Sequence, residues 1–305
     1  MSQVQSAAQP QNRLGKVLRV RRDVVLEPEA LVRWAGCKRW LARTFGDWAP
    51  PPSKRLIYCE PFVGSGAILL AHLLDFARTG GTTTAYIADA CPDVVALWQV
   101  VASGQVEGML AELERIPVDA TTYKAVRALD PGDDVLIRAT RFVYLQACSF
   151  NGLWRVNSRG QHNVPRDGTK RVPTVDGGSL LGAHALLERA AGDLYVCEPQ
   201  GPDTWRAAIE GTPSPAWFYV DPPYPGGFVG YTAEPFGAWD ELHDALADRV
   251  RRGDCVTVSL PDTAQVRAQY GNAPWRLGRV TVRQGIAARA SDRGERAELL
   301  ICGGY

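Results

Sequence analysis

The stretch LIYCEPFVGSGAILLAHLLDFA, residues 56–77, decides the fold. Its first residues, Leu56–Cys59, are apolar and short, which predicts a buried strand. Gly64 and Gly66 then supply a turn, and the long apolar run Ala67–Ala77 predicts a helix. A second strand is predicted at Ala85–Ala88, followed by a helix over about residues 92–101. This order predicts the opening of a doubly wound parallel sheet in an α/β protein.

The strand–helix rhythm breaks between about residues 104 and 190. Two helical stretches, Val106–Ile116 and Val135–Gln146, flank the polar, glycine-rich segment Ser149–Gly178, and we interpret residues 104–190 as an inserted, mostly helical domain. The rhythm then returns with a helix at Trp239–Arg251 and strands at Leu194–Cys197, Trp217–Val220, Cys255–Leu260, Arg276–Arg283 and Ala297–Cys302. Because no full helix separates the last two strands, they predict an antiparallel hairpin at the sheet edge.

These boundaries give a core domain of residues 26–103 and 191–305, preceded by a flexible basic arm of residues 1–25. The 305 residues are 46% hydrophobic, with 34 basic and 33 acidic side chains. This composition excludes wholesale disorder and a uniformly basic surface, so contact with nucleic acid would depend on local clusters of cations. The chain has no long apolar run and no apolar signal core, which predicts a cytoplasmic protein without a membrane span.

Metal and disulfide chemistry find little support in the sequence. The seven cysteines are scattered without a C-x-x-C pair, and the four histidines lie far apart. This pattern predicts reduced thiols and no metal site.

The first candidate binding element is the glycine turn together with Asp89. Gly64 and Gly66 follow a strand directly, so that backbone could approach a ligand closely, and the next helix begins at the same place. Asp89 follows the second strand, where a carboxylate can bond both hydroxyls of a ribose or cap the following helix. Turn and acid together favour an adenosyl cofactor over a free phosphate.

The second element is Asp221-Pro222-Pro223-Tyr224, directly after the strand Trp217–Val220. The two prolines fix the backbone and remove two N–H donors. The carboxylate of Asp221 and the carbonyl of Pro222 can then face outward as acceptors beside the ring of Tyr224. This arrangement suits a planar base with an exocyclic amino group; the alternative is a rigid loop after a strand.

With these motifs in this order, residues 31–305 resemble the Dam-type DNA adenine-N6 methyltransferases, which use S-adenosylmethionine. The segment 33–38, RWAGCK, is similar to the family's W-A-G-G-K motif, with Cys37 in place of the second glycine. Asp203 is a looser match to an acid near the cofactor's adenine. The resemblance implies catalytic roles for Asp221, Pro222 and Tyr224, and cofactor contacts from Trp34, Lys38, Phe62, Gly64, Gly66, Asp89, Asp203 and Asp221.

The inserted segment strengthens the resemblance. Residues 149–157, SFNGLWRVN, and 163–165, NVP, are similar to the family's Y-N-G-L-x-R-Y-N and F-N-V-P-F-G patterns, which read DNA. His162 and the run 166–168 depart from the family, so the recognition sequence stays open. The resemblance implies DNA contacts from Phe150, Asn151, Arg155, Asn157 and Pro165. Phosphate contacts are expected from Arg33, Arg39, Arg43, Arg155, Arg159, Lys170 and Arg171.

The resemblance implies methyl transfer from S-adenosylmethionine to adenine N6 in double-stranded DNA, in a bacterial cell or from a phage gene, with the adenine flipped out of the helix. It makes a cognate restriction endonuclease a candidate partner and leaves the oligomeric state open. Three alternatives stay open: an amino methyltransferase acting on cytosine N4 or glutamine, a catalytically silent DNA-binding relative, and a nicotinamide dehydrogenase with a similar sheet.

Overall fold

The computed structural model describes residues 16–169, 171–228, 230–283 and 295–305. The strands in this part of the chain are β1 Arg19–Arg21, β2 Ile57–Glu60, β3 Thr83–Ile87, β4 Thr174–Asp176, β5 Ala191–Val196, β6 Trp217–Val220, β7 Cys255–Pro261, β8 Arg276–Arg283 and β9 Glu295–Gly303. The helices are α1 Arg39–Ala42, α2 Phe45–Trp48, α3 Ala67–Thr79, α4 Pro92–Ala102, α5 Val106–Leu113, α6 Ala120–Ala128, α7 Val135–Cys148, α8 Gly177–Ala190, α9 Thr204–Gly211, α10 Trp239–Arg251 and α11 Ala264–Tyr270.

Seven strands form the central sheet, in the order β5-β3-β2-β6-β7-β9-β8. The first five are parallel, and β9 runs antiparallel to both β7 and β8. The predicted doubly wound sheet with an antiparallel edge hairpin is therefore confirmed. All four residues of β6 are buried, which explains why this strand is continuously apolar rather than alternating.

Strand order reverses between β2 and β6, and this reversal positions the site. From β2 the chain moves to β3 on one side, whereas β6 pairs with the other side of β2. In such sheets a crevice opens beyond the carboxyl ends of the strands at the reversal. The glycine turn follows β2 and the Asp221–Tyr224 tetrad follows β6, so both reach this crevice.

Two hydrophobic clusters pack the sheet. One includes Leu69 of α3 and Trp98 of α4 together with Leu145 of α7 and Leu180 of α8. The other contains Trp205 of α9 and neighbouring side chains from α10 and α11. Helices from the predicted inserted domain thus share a core with the first helices of the sheet domain, and the domain boundary itself stays a prediction.

Residues 16–25 belong to the predicted basic arm, of which residues 1–15 lie outside the described residues. In the described part, β1 pairs in parallel with β4, and Leu18 is buried. The amide of Val25 donates to the carbonyl of Gly178 at 3.0 Å. This segment therefore runs along the start of α8.

No single helix among the described residues is long and apolar enough to span a membrane, and α4 and α5 meet that criterion only as a pair bent by 119°.

Candidate active site

Backbone hydrogen bonds close the glycine turn after β2, and two tryptophans pack against it. Gly64 and Gly66 both have left-handed backbone, with φ of +47° and +73°. A Cβ on Gly64 would lie 2.8 Å from Trp34 Cδ1, and one on Gly66 would lie 2.1 Å from Trp98 Cζ2. The indole of Trp98 also donates to the carbonyl of Gly64 at 3.1 Å. Only glycine fits both the conformation and the space at these positions.

Asp89, two residues beyond β3, is tied to this turn. One of its oxygens accepts from the amide of Gly64 and the other from the amide of Cys91, both at 2.9 Å. Burial raises the pKa of Asp89 to about 6. The bond to Cys91, which precedes α4, is the helix-capping contact considered above, and the bond to Gly64 places the carboxylate at the glycine turn.

Asp221 is held from two sides. Its Oδ1 accepts from Ser259 Oγ of β7 at 2.8 Å, and its Oδ2 accepts from Lys38 Nζ at 2.7 Å. Ser259 also lies 3.1 Å from the hydroxyl of Tyr219. Two segments far from Asp221 in the sequence thus hold its carboxylate.

Lys38 links the RWAGCK segment to the tetrad. Its ammonium also donates to the carbonyl of Gly36 at 3.0 Å and lies 5.0 Å from the centroid of the Tyr224 ring. Burial disfavours the charged form and is the largest single effect, but the charges of Asp221, Tyr219 and Glu298 and the hydrogen bond to Asp221 together outweigh it, so the pKa of Lys38 is raised. Lys38 therefore stays cationic beside Asp221.

The tetrad is anchored from α10 and β9. Trp239 Nε1 donates to the carbonyl of Pro223 at 3.1 Å. Burial raises the pKa of the Tyr224 hydroxyl, and the charges of Asp221 and Glu298 add to the effect. Sequence reasoning missed Glu298, although an acid inside the apolar strand β9 was a signal that could have found it.

Phe62 lies in the turn after β2 and packs toward α10. Its ring meets the ring of Phe236 edge-on at 5.4 Å, and Phe236 meets Trp239 in the same way at 5.3 Å. Phe62 thus connects the glycine turn to the helix that anchors the tetrad.

A cavity of about 400 Å³ opens beside Asp89 at the same edge of the sheet. Segments after β3, β5 and β6 line it together with Val156 and Gly160 of the inserted segment. Asp203 is exposed at the start of α9 and is not one of the lining residues, although its neighbour Pro202 is. Within the described residues, no group of three or more His, Cys, Asp or Glu side chains could hold a metal ion.

Four of the five predicted DNA-contacting residues, which lie in the segment 149–165, are exposed. Phe150 is 50% exposed, and Arg155 and Pro165 are also exposed. Arg155 Nε donates to Asn163 Oδ1 at 2.6 Å, which orients the guanidinium. Asn151 has left-handed backbone with φ of +55°.

Asn157 and His162 have contacts inside this segment. Asn157 Oδ1 accepts from the amides of Arg159 and Gln161 at 2.9 and 3.0 Å, so it closes a turn. His162, where the family has Phe, is buried 4.8 Å from the ring of Trp154. Burial lowers the pKa of His162 to about 4, so the ring is neutral near pH 7.

The predicted phosphate-contacting cations differ in their surroundings. Arg43 forms an ion pair with Glu29 at 3.0 Å, whereas Lys170 lies outside the described residues. All six of these arginines are exposed: Arg33, Arg39, Arg43, Arg155, Arg159 and Arg171.

Comparison with known proteins finds matches over most of the chain. The family model for D12 class N6 adenine-specific DNA methyltransferases matches residues 34–277. The DNA adenine methylase of Vibrio cholerae serotype O1 (strain ATCC 39541) is 28% identical over 286 residues, covering 89% of this chain and 94% of that protein. The DNA adenine methylase of Escherichia coli K12 is 28% identical over 282 residues, with the same coverage.

Among solved structures, the rRNA methyltransferase aviRa from Streptomyces viridochromogenes aligns with 88% of this chain and 83% of its own. The TM-score is 0.37 and the identity 13%, a likeness too weak to add to the fold described above.

Proposed function

Because the chain belongs to the D12 class of N6 adenine-specific DNA methyltransferases, we propose that it takes its methyl group from S-adenosylmethionine and methylates an adenine flipped out of duplex DNA. When bound, this cofactor supplies a methyl group activated by a sulfonium. In-line transfer then needs mainly positioning and placement of charge. Asp221, Pro222 and Tyr224 are the proposed catalytic residues.

The glycine turn supports the choice of cofactor. Side chains at Gly64 and Gly66 would collide with Trp34 and Trp98, so glycine at both positions lets the two tryptophans pack directly against the turn. Asp89 lies against this turn with a carboxylate suited to ribose hydroxyls. Trp34, Lys38, Phe62 and Asp89 are proposed to surround the cofactor, with Asp203 at the rim of the neighbouring cavity.

The chemistry proposed for Asp221 follows from its bonding. The amino group of adenine is conjugated with its ring and is a poor nucleophile. Acceptors at the Asp221 carboxylate and the Pro222 carbonyl would hold its two N–H bonds and favour a pyramidal nitrogen whose lone pair faces the methyl group. Because each carboxylate oxygen has a second lone pair, Asp221 can accept this bond while Ser259 and Lys38 still hold it.

Tyr224 is proposed to stack on the flipped base. After transfer the nitrogen would be strongly acidic, so it would release its proton to water without a dedicated base. Phe150, Asn151, Arg155, Asn157 and Pro165 are proposed to meet the duplex, where Phe150 would offset lost stacking and Arg155 would contact a base edge.

The observation that carries the proposal is the 2.7 Å bond between Lys38 and Asp221. It joins the segment beside the glycine turn to the tetrad, so the two halves of the proposed site face each other. A tetrad that served only as a rigid loop would have no need of a buried cation.

The test is to incubate the protein with duplex DNA and methyl-labelled S-adenosylmethionine and to analyse the nucleosides. We expect the label on N6-methyladenine. Label on N4-methylcytosine or on protein would contradict the proposal, and cofactor binding without any transfer would identify a silent relative. Methylome sequencing of expressing cells would then give the methylated sequence, and protection of that sequence from cleavage tests the predicted endonuclease partner.

A further inference from the structure

The segment after the tetrad touches residues 149–165, the proposed DNA-facing segment. The amide of Val156 donates to the carbonyl of Gly230 at 2.9 Å. A Cβ on Gly230 would lie 2.9 Å from Arg155 Cγ, so the backbone packs directly on the stem of this arginine. Arg155 and Gly230 are therefore in direct contact.

The next residue, Tyr231, touches the RWAGCK segment, residues 33–38, which is proposed to contact the cofactor. Its ring stacks on Trp34 with centroids 5.3 Å apart and an angle of 29° between the planes. Its hydroxyl donates to the carbonyl of Ala35 at 3.2 Å. Trp34 in turn lies against Gly64, so Tyr231 reaches the glycine turn through one ring.

The surroundings of Tyr231 favour a fixed, neutral side chain. Burial raises the pKa of its hydroxyl, and the charge of Asp221 adds to the effect. Tyr231 also lines the cavity that Val156 and Pro92 share. A movement of the DNA-facing segment and a ligand beside Asp89 would both act on this residue.

We infer that Tyr231 is a positioning residue that couples recognition of the DNA sequence to cofactor binding. The inference rests on the proposed function. When Arg155 meets its matching base edge, the Val156–Gly230 bond fixes the segment after the tetrad, and Tyr231 then holds Trp34 in place over the cofactor. Because such coupling is reciprocal, cofactor tightens binding of the matching DNA by the same factor.

The experiment measures binding of S-adenosylhomocysteine, the product of transfer, by calorimetry. It uses the full chain alone, with a duplex carrying the methylated sequence found by methylome sequencing, and with a scrambled duplex. For the wild type we expect the matching duplex to tighten binding roughly tenfold more than the scrambled one, a factor typical of coupled sites. Tyr231→Ala should make the two duplexes equivalent.

Two further variants make the result specific. Tyr231→Phe keeps the ring on Trp34 but loses the bond to Ala35, so its ratio should fall between those of wild type and Tyr231→Ala; it serves alone if the alanine variant does not fold. Tyr195→Ala, at a tyrosine 48% exposed on the edge strand β5, should keep the wild-type ratio.

An undiminished ratio in both Tyr231 variants, or no difference between the duplexes in the wild type, overturns the inference while methyl transfer continues. Failure of the proposed function looks different: the wild type then transfers no label to adenine, and the inference falls with it.

Discussion

Asp221 depends on neighbours that the sequence alone does not bring together. Lys38 lies 183 residues away from it and Ser259 lies 38 residues away. The sequence predicted Asp221, Lys38 and Asp89 as site residues from local motifs. It could not predict the bond to Ser259, because that bond exists only when β6 and β7 pair.

The bond from Ser259 has a measurable consequence. Ser259→Ala removes a donor to a carboxylate, and hydrogen bonds to charged groups contribute about 1.5–3 kcal/mol. We therefore expect kcat for methyl transfer to fall roughly 10- to 100-fold, with little change in KM for DNA. Steady-state kinetics with labelled cofactor measure this, and the exposed Ser53→Ala is the control. An unchanged kcat would show that Ser259 does not position Asp221.

Asp89 gives the site a pH dependence. Its pKa of about 6 exceeds the ordinary 3.8 because of burial. The charged form needed to bond ribose hydroxyls is therefore lost as the pH falls below about 6. Affinity for S-adenosylhomocysteine should drop close to tenfold per pH unit below that point.

The raised pKa of Asp89 also makes the free energy of unfolding depend on pH, in the direction opposite to that of cofactor affinity. The contribution of Asp89 to the free energy of unfolding is fully present below pH 3.8 and is lost as the pH rises through about 6.

Asp89→Asn should bind S-adenosylhomocysteine weakly, and its affinity should not change with pH in this range. Binding of S-adenosylhomocysteine to both proteins is measured by calorimetry from pH 5 to 8. A wild-type affinity that does not change with pH over this range would argue against the ribose contact.

At the scale of elements, the strands were predicted better than the shorter helices. Trp217–Val220 and Arg276–Arg283 have the bounds that their apolar and alternating patterns indicated. The first two residues of α8, Gly177 and Gly178, were placed in the polar, glycine-rich segment Ser149–Gly178. A Cβ on Gly178 would lie 1.9 Å from the carbonyl oxygen of Asp23, so these glycines serve the packing of a segment about 150 residues earlier.

The glycine turn at the start of α3 can be tested with a matched pair of variants. Gly66 and Gly80 flank the same helix with φ of +73° and +71°, but only Gly66 has side-chain atoms in the way. Gly80→Ala should cost about 1–2 kcal/mol from backbone conformation alone. Gly66→Ala should cost about 1–3 kcal/mol more because of the clash with Trp98.

Urea unfolding of the two variants gives the difference directly. Equal losses in the free energy of unfolding would mean that Trp98 moves aside without cost. Any residue tolerant of left-handed backbone, and not only glycine, would then fit at position 66.

The whole molecule carries a net charge of only +1, so DNA must be bound by local cations. Arg155 is exposed and oriented by Asn163, which suits it to a base edge. Arg155→Ala should lose about 1–3 kcal/mol of discrimination between matching and altered sequences. Arg159→Ala should weaken binding of all sequences alike and reduce the salt dependence by about one phosphate contact.

Fluorescence-anisotropy titrations with matching and altered duplexes at several salt concentrations separate these two effects. If Arg155→Ala weakened both duplexes equally, the guanidinium would be a phosphate contact rather than a reader of bases. The sequence motif alone could not decide this, because the departures at His162 and residues 166–168 lie in the same segment.

The most direct test of the central claim compares Asp221→Ala with Asp193→Ala, the same substitution at an exposed position on β5. Both variants and the wild type are incubated with duplex DNA and methyl-labelled S-adenosylmethionine, and N6-methyladenine is quantified. We predict that the wild type and Asp193→Ala form N6-methyladenine at the same rate. Asp221→Ala should still bind S-adenosylhomocysteine but form N6-methyladenine at least about 100-fold more slowly. Undiminished N6-methyladenine from Asp221→Ala would contradict the account.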